Sequence, residues 1–205
     1  MSQLAAAPMI EPGFQSPVDD ANHVFRLALK ALAHPGTIVE IARPTAVPTG
    51  VLAGGLGRAA IGVALALVDF ETPVWLDAAA APVGPHLRFH CNCPILERPD
   101  RAAFAFAADP AHLPALDTLP LGSDAYPDQG ATLVIEVRAL ASAPGLVLTG
   151  PGIDGTTTLS VDGLPGDFWD RRAALAPLFP RGLDLLLTAG DLLVAVPRTT
   201  SVRRS

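Results

Sequence analysis

The chain predicts an α/β domain in which a mixed sheet is layered with helices. Three observations point there. β-Branched and leucine-rich runs such as "TLVIEV" (132–137) and "GLVLTG" (145–150) suit a pleated, buried surface. Helical stretches stand between such runs instead of being gathered at one end, the pattern of a layered α/β domain. Half of the 205 residues are hydrophobic and only 17% are charged, enough apolar material for one sizeable core.

Residues 1–15 read as a flexible N-terminal arm, 16–200 as a single α/β domain and 201–205 as a basic tail. The first helix starts at Ser16, which can cap it. Pro17 suits its first turn, and Asp19 and Asp20 favour the positive end of its dipole. Phe25, Leu29 and Leu32 fall at i, i+4 and i+7, predicting a buried stripe, with His23, Arg26 and Lys30 on the other side. His34-Pro35-Gly36 ends this helix. "TIVEIA" (37–42) predicts a strand, and the small aliphatic run 58–69 a helix. "PVWLD" (73–77) and "HLRFHC" (86–91) follow as strands, while 101–107 fits either a strand or a helical turn. The region 109–131 reads mostly as loop, with a short helix near Ala111–Leu116. "TTTLSV" (156–161) is a strand and 167–178 a helix. "LDLLLTAGDLLVAV" (183–196) is a hairpin turning at Ala189-Gly190-Asp191.

Charge and composition exclude several functions. A net charge of -6 argues against a general nucleic-acid binder. "AAIGVALALV" (59–68) is far too short to span a bilayer, and the N-terminus lacks a secretory pattern. Cys91 and Cys93 are too close together for an ordinary bridge between elements, which fits a reducing, cytoplasmic setting.

Catalytic constellations are scarce. The glycines of 50–57 lack the P-loop pattern and read as a loop needing conformational freedom. On a strand, Cys91 and Cys93 share a face opposite His90, so they read as small buried side chains and not as metal ligands. The five histidines (23, 34, 86, 90, 112) have no triad spacing. Basic residues are lopsided: thirteen arginines against one lysine, Lys30. Lys30 lies on the polar side of an early helix, which argues against Schiff-base chemistry with pyridoxal phosphate. No catalytic residue, cofactor-binding residue or metal ligand is therefore assigned, and no cofactor is expected.

Two stretches present groups suited to anions. Thr149-Gly150-Pro151-Gly152, after a strand, can form a small nest of backbone amides, although a plain glycine turn is the reading favoured on sequence alone. Arg198, Thr199 and Thr200 follow Pro197, which ends the last hairpin strand, so they should be displayed. They are the candidate anion or partner contact, a planar fork of donors beside two hydroxyls, with a solvated strand terminus as the alternative that chemistry alone favours.

"FRLALKALAHPGTIVEI" (25–41), "DFETPVWLD" (69–77), "LRFHCNCPI" (87–95), "GATLVIEV" (130–137), "LTGPGI" (148–153) and "FPRGLDLLLTAGDLLVAVPRTT" (179–200) occur in this order. Together they resemble the PhnH-type subunit of the bacterial carbon–phosphorus lyase system, from about Val18 to Thr200. The resemblance implies a fold like the large domain of type I pyridoxal phosphate transferases without the cofactor site. It also implies a homodimer that assembles with the G, I and J subunits. The assembly converts an alkylphosphonate and a nucleoside triphosphate to ribose 1-alkylphosphonate 5-triphosphate in phosphonate catabolism, with no catalytic role tied to this subunit. The rival expectations are a free-standing transferase acting on phosphorylated sugars or nucleotides, and a pure scaffold protein.

Overall fold

The computed structural model describes residues 12–41 and 55–204. The first eleven residues of the expected arm, Ala42 of the strand 37–42 and most of the glycine-rich stretch 50–57 lie outside the described residues. The strands are β1 (Val39–Glu40), β2 (Val74–Leu76), β3 (Ile95–Leu96), β4 (Phe104–Ala107), β5 (Thr132–Glu136), β6 (Ala139–Thr149), β7 (Thr157–Asp162), β8 (Asp184–Ala189), β9 (Leu192–Val196) and β10 (Ser201–Arg204). Among the described residues the helices are α1 (Pro17–Ala33), α2 (Arg58–Leu67), α3 (Gly84–Cys91) and α4 (Phe168–Ala173), with short 3-10 turns elsewhere along the chain.

Seven strands form a mixed sheet in the order β1-β9-β8-β5-β4-β2-β3. The ladders from β3 to β8 are parallel, and β9 is antiparallel to both of its neighbours, so six strands point one way. Strand alternation divides the interior into two cores, because successive side chains leave opposite faces of a strand. Val134, Leu186, Leu193 and Ala195 join the core beneath α1, α2 and α3. Leu133, Ile135, Leu185, Leu187, Val194 and Val196 face the other core. That second core is covered by Phe168 of α4 and by β6 and β7, two strands of an antiparallel three-stranded sheet ordered β10-β6-β7.

Three features depart from the sequence expectation. The predicted strand 86–91 is a helix, α3. Leu87, Phe89 and Cys91 offer strand spacing, but Val83, Leu87 and Cys91 offer helical spacing as well. The second pattern wins: Val83 and Leu87 are buried, Cys91 packs against the core, and Phe89 is left 64% exposed. Asn92, with φ of 54°, then ends the helix in a left-handed cap. The face argument for Cys91 and Cys93 therefore falls with the strand. Cys91 instead approaches the Ala64 carbonyl on α2, and burial pushes its thiol up to about 12. Cys93 is buried and its thiol is also raised by desolvation, so both residues are small core side chains without thiolate character.

The buried face of α1 is also not the expected one. Val24, Ala28 and Ala31 are buried, whereas Phe25 and Leu29 are 47% and 54% exposed. α2 explains the choice. Ala59, Ala60, Ile61, Gly62, Val63 and Ala64 are all buried there, so that helix is enclosed on every side, and the small side chains of α1 pack into the same core. Ser16 sits at the start of α1 without a side-chain cap: its hydroxyl donates to Asp19, and its backbone N–H donates to the Asp20 carboxylate.

Lastly, the residues read as a basic tail form a strand. Ser201–Arg204 pairs antiparallel with β6, Ser201 opposite Thr149 and Arg204 opposite Leu146. Arg204 also reaches Asp170 of α4 at 3.0 Å. The expected helix 167–178 is α4 followed by a 3-10 turn at Ala176–Leu178, and the ambiguous 101–107 resolves into β4.

Two sites turn this architecture into measurements. Gly152 has φ of +82°, and a side chain there would collide with the Ala33 carbonyl oxygen at the end of α1. Gly152→Ala should cost roughly 1–3 kcal/mol from backbone strain alone, more with the collision, read as a lower urea midpoint. His86 of α3 is 4% exposed, neither ring nitrogen has a hydrogen-bond partner, and its ring lies 4.4 Å from that of His90. Burial, with a smaller contribution from His90, lowers its pKa to about 4 from the usual 6.5. The unfolded chain thus takes up the proton first as pH falls. The stability that His86 contributes is full above pH 6.5 and is lost progressively from 6.5 towards 4. Unfolding titrations at pH 7.5 and pH 5 should differ by on the order of 2 kcal/mol from this residue, and His86→Leu should reduce that difference.

Candidate functional site

The hairpin β8–β9 closes at Gly190, and β9 leads straight to Pro197, which cannot donate to a ladder. The chain then turns, the Thr200 N–H donating to the Pro197 carbonyl at 2.9 Å, and crosses into the second sheet as β10. Arg198, Thr199 and Thr200 occupy this turn between the two sheets.

Arg198 is held within the domain. Its Nη2 donates to Asp184 Oδ2 at 2.6 Å, Nε reaches both carboxylate oxygens at 3.2 Å, and its backbone N–H donates to Oδ1 at 2.8 Å. Nη1 donates to the Pro127 carbonyl. Asp184 opens β8, so this bidentate pair ties the turn back to the first residue of the hairpin. Two glycines make room for it. A side chain on Gly130 would lie 2.8 Å from Nη1, and one on Gly182 would lie 3.2 Å from the Arg198 Cβ. With its side chain only 13% exposed, Arg198 is not displayed as expected; neither is Thr200, which is 2% exposed, and only Thr199 faces solvent. The reason is β10: the chain does not fade into solvent after Pro197 but folds back onto β6.

All three residues line a cavity of about 450 Å³ between this turn, α4 and the segment before β8. Thr149-Gly150-Pro151-Gly152 meets them there. Pro151 lines the same cavity, and a side chain on Gly150 would touch the Thr199 carbonyl at 2.9 Å. Two further arginines, Arg172 of α4 and Arg181, complete the polar wall. Arg181 pairs with exposed Asp124 at 3.3 Å. Arg172 donates from Nη2 to the Pro197 carbonyl at 2.7 Å, and desolvation lowers its pKa, with Asp184 acting in the opposite sense. Trp169, Leu183, Leu185 and Val202 supply apolar surface opposite these charges. Such a volume, mostly apolar with a few convergent polar groups, suits a small ligand.

The sequence did not single out Arg172, Arg181 or Trp169. The available signal was the excess of arginine over lysine, since arginine holds planar, multidentate contacts in partly buried sites. The other sequence candidates are not brought to this cavity. Lys30 is exposed on the last turn of α1, beside a shallower pocket shared with His34 and Thr157. At Gly57, before α2, a side chain would meet Glu136 Oε1 at 2.6 Å and the Gly190 carbonyl at 2.7 Å. That glycine serves close packing against the hairpin turn, and the carboxylate beside it would repel a phosphate.

Arg198→Ala would leave Asp184 partly buried without its counter-ion. A loss of about 3 kcal/mol in unfolding free energy is expected, with far-ultraviolet circular dichroism unchanged at low temperature. Arg198→Lys should recover only part of it, because an ammonium cannot span both carboxylate oxygens and the Pro127 carbonyl.

The family described as bacterial phosphonate metabolism protein (PhnH) matches residues 12–203. The α-D-ribose 1-methylphosphonate 5-triphosphate synthase subunit PhnH of Rhizobium meliloti (strain 1021) is 37% identical over 202 residues, covering 98% of both chains. A putative C-P lyase subunit protein, HtxG, of Stutzerimonas stutzeri is 33% identical over 179 residues, covering 87% of this chain and 83% of its own length. With the match reaching from the segment before α1 to the last strand, the chain belongs to the PhnH family.

Proposed function

We propose that this chain is a required, non-catalytic subunit of a cytoplasmic carbon–phosphorus lyase complex. In this reading it supports the joining of an alkylphosphonate to ribose, with a nucleoside triphosphate as co-substrate, to give ribose 1-alkylphosphonate 5-triphosphate. The observation that carries the reading is the end-to-end relation to a subunit of ribose 1-methylphosphonate 5-triphosphate synthase.

The surface supports a role among partners. Val18, Phe25 and Leu29 lie along one side of α1 at i, i+7 and i+11, and all three are exposed. Phe70, Phe89 and Phe179 are exposed as well. Large apolar side chains left in water favour association, and the proposed assembly is a homodimer that joins the G, I and J subunits. The mixed sheet with a single reversed strand next to one edge is compatible with descent from the large domain of type I pyridoxal phosphate transferases. In such a descendant the sole lysine, exposed on α1, has no cofactor to hold.

The test is genetic and then biochemical. Deleting the gene in its native bacterium should abolish growth on methylphosphonate as phosphorus source and leave growth on inorganic phosphate intact. The purified chain alone, given methylphosphonate and ATP, should release no ribose 1-methylphosphonate 5-triphosphate. Growth of the deletion strain on methylphosphonate would remove the chain from the pathway. Turnover by the isolated chain would make it a free-standing transferase.

A further inference from the structure

The cavity behind the β9–β10 turn contains an electrostatic mismatch that the fold does not resolve. Among the described residues, three arginines line it and no carboxylate does. Two of the three are matched, Arg198 by Asp184 and Arg181 by Asp124. Arg172 touches no carboxylate among the described residues: its protein hydrogen bond goes to the Pro197 carbonyl, and its buried Nε has no partner. Thr200, at the same wall, is 2% exposed, and its Oγ1 has no partner either. A cation withdrawn from water with no carboxylate in contact, beside a buried hydroxyl without a hydrogen bond, costs the fold stability twice over. Asp184 acts on Arg172 only through space, because its carboxylate is already taken by Arg198. An anion arriving from solution satisfies both groups.

We propose that this cavity is a binding site for a small organic oxyanion, its head group held by Arg172 and Thr200 and its apolar portion seated against Trp169, Leu183 and Leu185. The head group is a carboxylate or a phosphonate, since either matches an arginine fork and accepts from a hydroxyl. The apolar wall sets the other half of the specificity: an anion with no hydrocarbon attached leaves that surface uncovered. Arg198 frames the site and is not its main donor, because its Nε and Nη2 are spent on Asp184 and Nη1 on Pro127. The proposal does not rest on assembly into a complex, so it is tested on the full chain alone.

Isothermal titration calorimetry with phenylphosphonate should show saturable binding at about one site per chain. Arg172→Gln should weaken it about tenfold or more, the loss of one charge-assisted contact. Thr200→Val should weaken it severalfold and, because it deletes a hydroxyl that bonds nothing in the free protein, should leave the urea midpoint without ligand equal or higher. That pair of results separates a ligand-facing hydroxyl from a structural one, and it holds even if Arg172→Gln does not fold. Benzoate in parallel titrations identifies the preferred head group, and inorganic phosphate should bind at least tenfold more weakly than phenylphosphonate. Absence of binding by both organic probes at millimolar concentration, unchanged affinity in Thr200→Val, a lowered midpoint in that variant, or phosphate binding as tightly as phenylphosphonate would each overturn the assignment.

Discussion

Asp184 receives Arg198 three ways, from the backbone N–H, from Nε and from Nη2, and the passage of the chain between its two sheets hangs on that carboxylate. β9 runs antiparallel to β8 and would carry the chain away past the start of β8 if nothing held it. The pair forms at the residue where β8 begins, so the chain is caught as it leaves the central sheet and β10 can be laid on β6. The two glycines at 130 and 182 belong to the same device. Gly130 leaves room for the guanidinium and Gly182 for the stem that carries it, and the Pro127 carbonyl accepts from Nη1. A partly buried ion pair of this geometry adds less to net stability than its short distances suggest, because both charges were solvated before folding. What it supplies is a unique path: any other course for the turn leaves Asp184 desolvated and unpaired.

The cavity follows from this path. Because β10 lies on β6 and not on the central sheet, the space bounded by the turn, α4 and Arg181 is left incompletely filled. The sheet's alternation then decides what faces it. Leu185 and Leu183 point to the core shared with Phe168 and Val194, so the cavity's floor is apolar while its rim, made of turn and helix ends, is polar. A cavity produced this way costs dispersion contacts along its whole lining. It persists because the elements around it are fixed by unrelated contacts: α4 by Phe168 in the core, β10 by its ladder to β6, and the turn by Asp184.

Much of the fold was legible where one local signal stood unopposed. The hairpin 184–196 carries a glycine turn between leucine-rich runs, and Gly190 does adopt positive φ, 62°. α1 carries its start in Pro17 and its stop in Pro35-Gly36, and both hold. Legibility failed where two signals competed. Around His86–Cys91 strand and helix spacing overlapped, and only the burial of Val83, one turn earlier, separates them. On α1 the larger apolar residues suggested the buried face, but a close helix pair selects small side chains, and that preference belongs to α2 as much as to α1. β10 was illegible because an edge strand of Ser-Val-Arg-Arg has no apolar alternation to declare; its pairing comes from β6, more than fifty residues away.

The site was half legible for the same reason. Arg198-Thr199-Thr200 announces itself because the residues are contiguous and follow a proline, while its partners are scattered: Asp184 at the far end of the hairpin, Arg172 on α4, Arg181 before β8. Proximity in sequence therefore pointed to this turn and misjudged its exposure. The structure reverses the roles within it. Arg198, with the most conspicuous chemistry, is committed to the fold, while the hydroxyl of Thr200 and the Nε groups of Arg172 and Arg181 make no hydrogen bond. A residue whose side-chain nitrogens are each bound within the domain specifies architecture. A donor withdrawn from water with no partner has its partner still to come, and at this turn the two kinds stand side by side on one cavity wall.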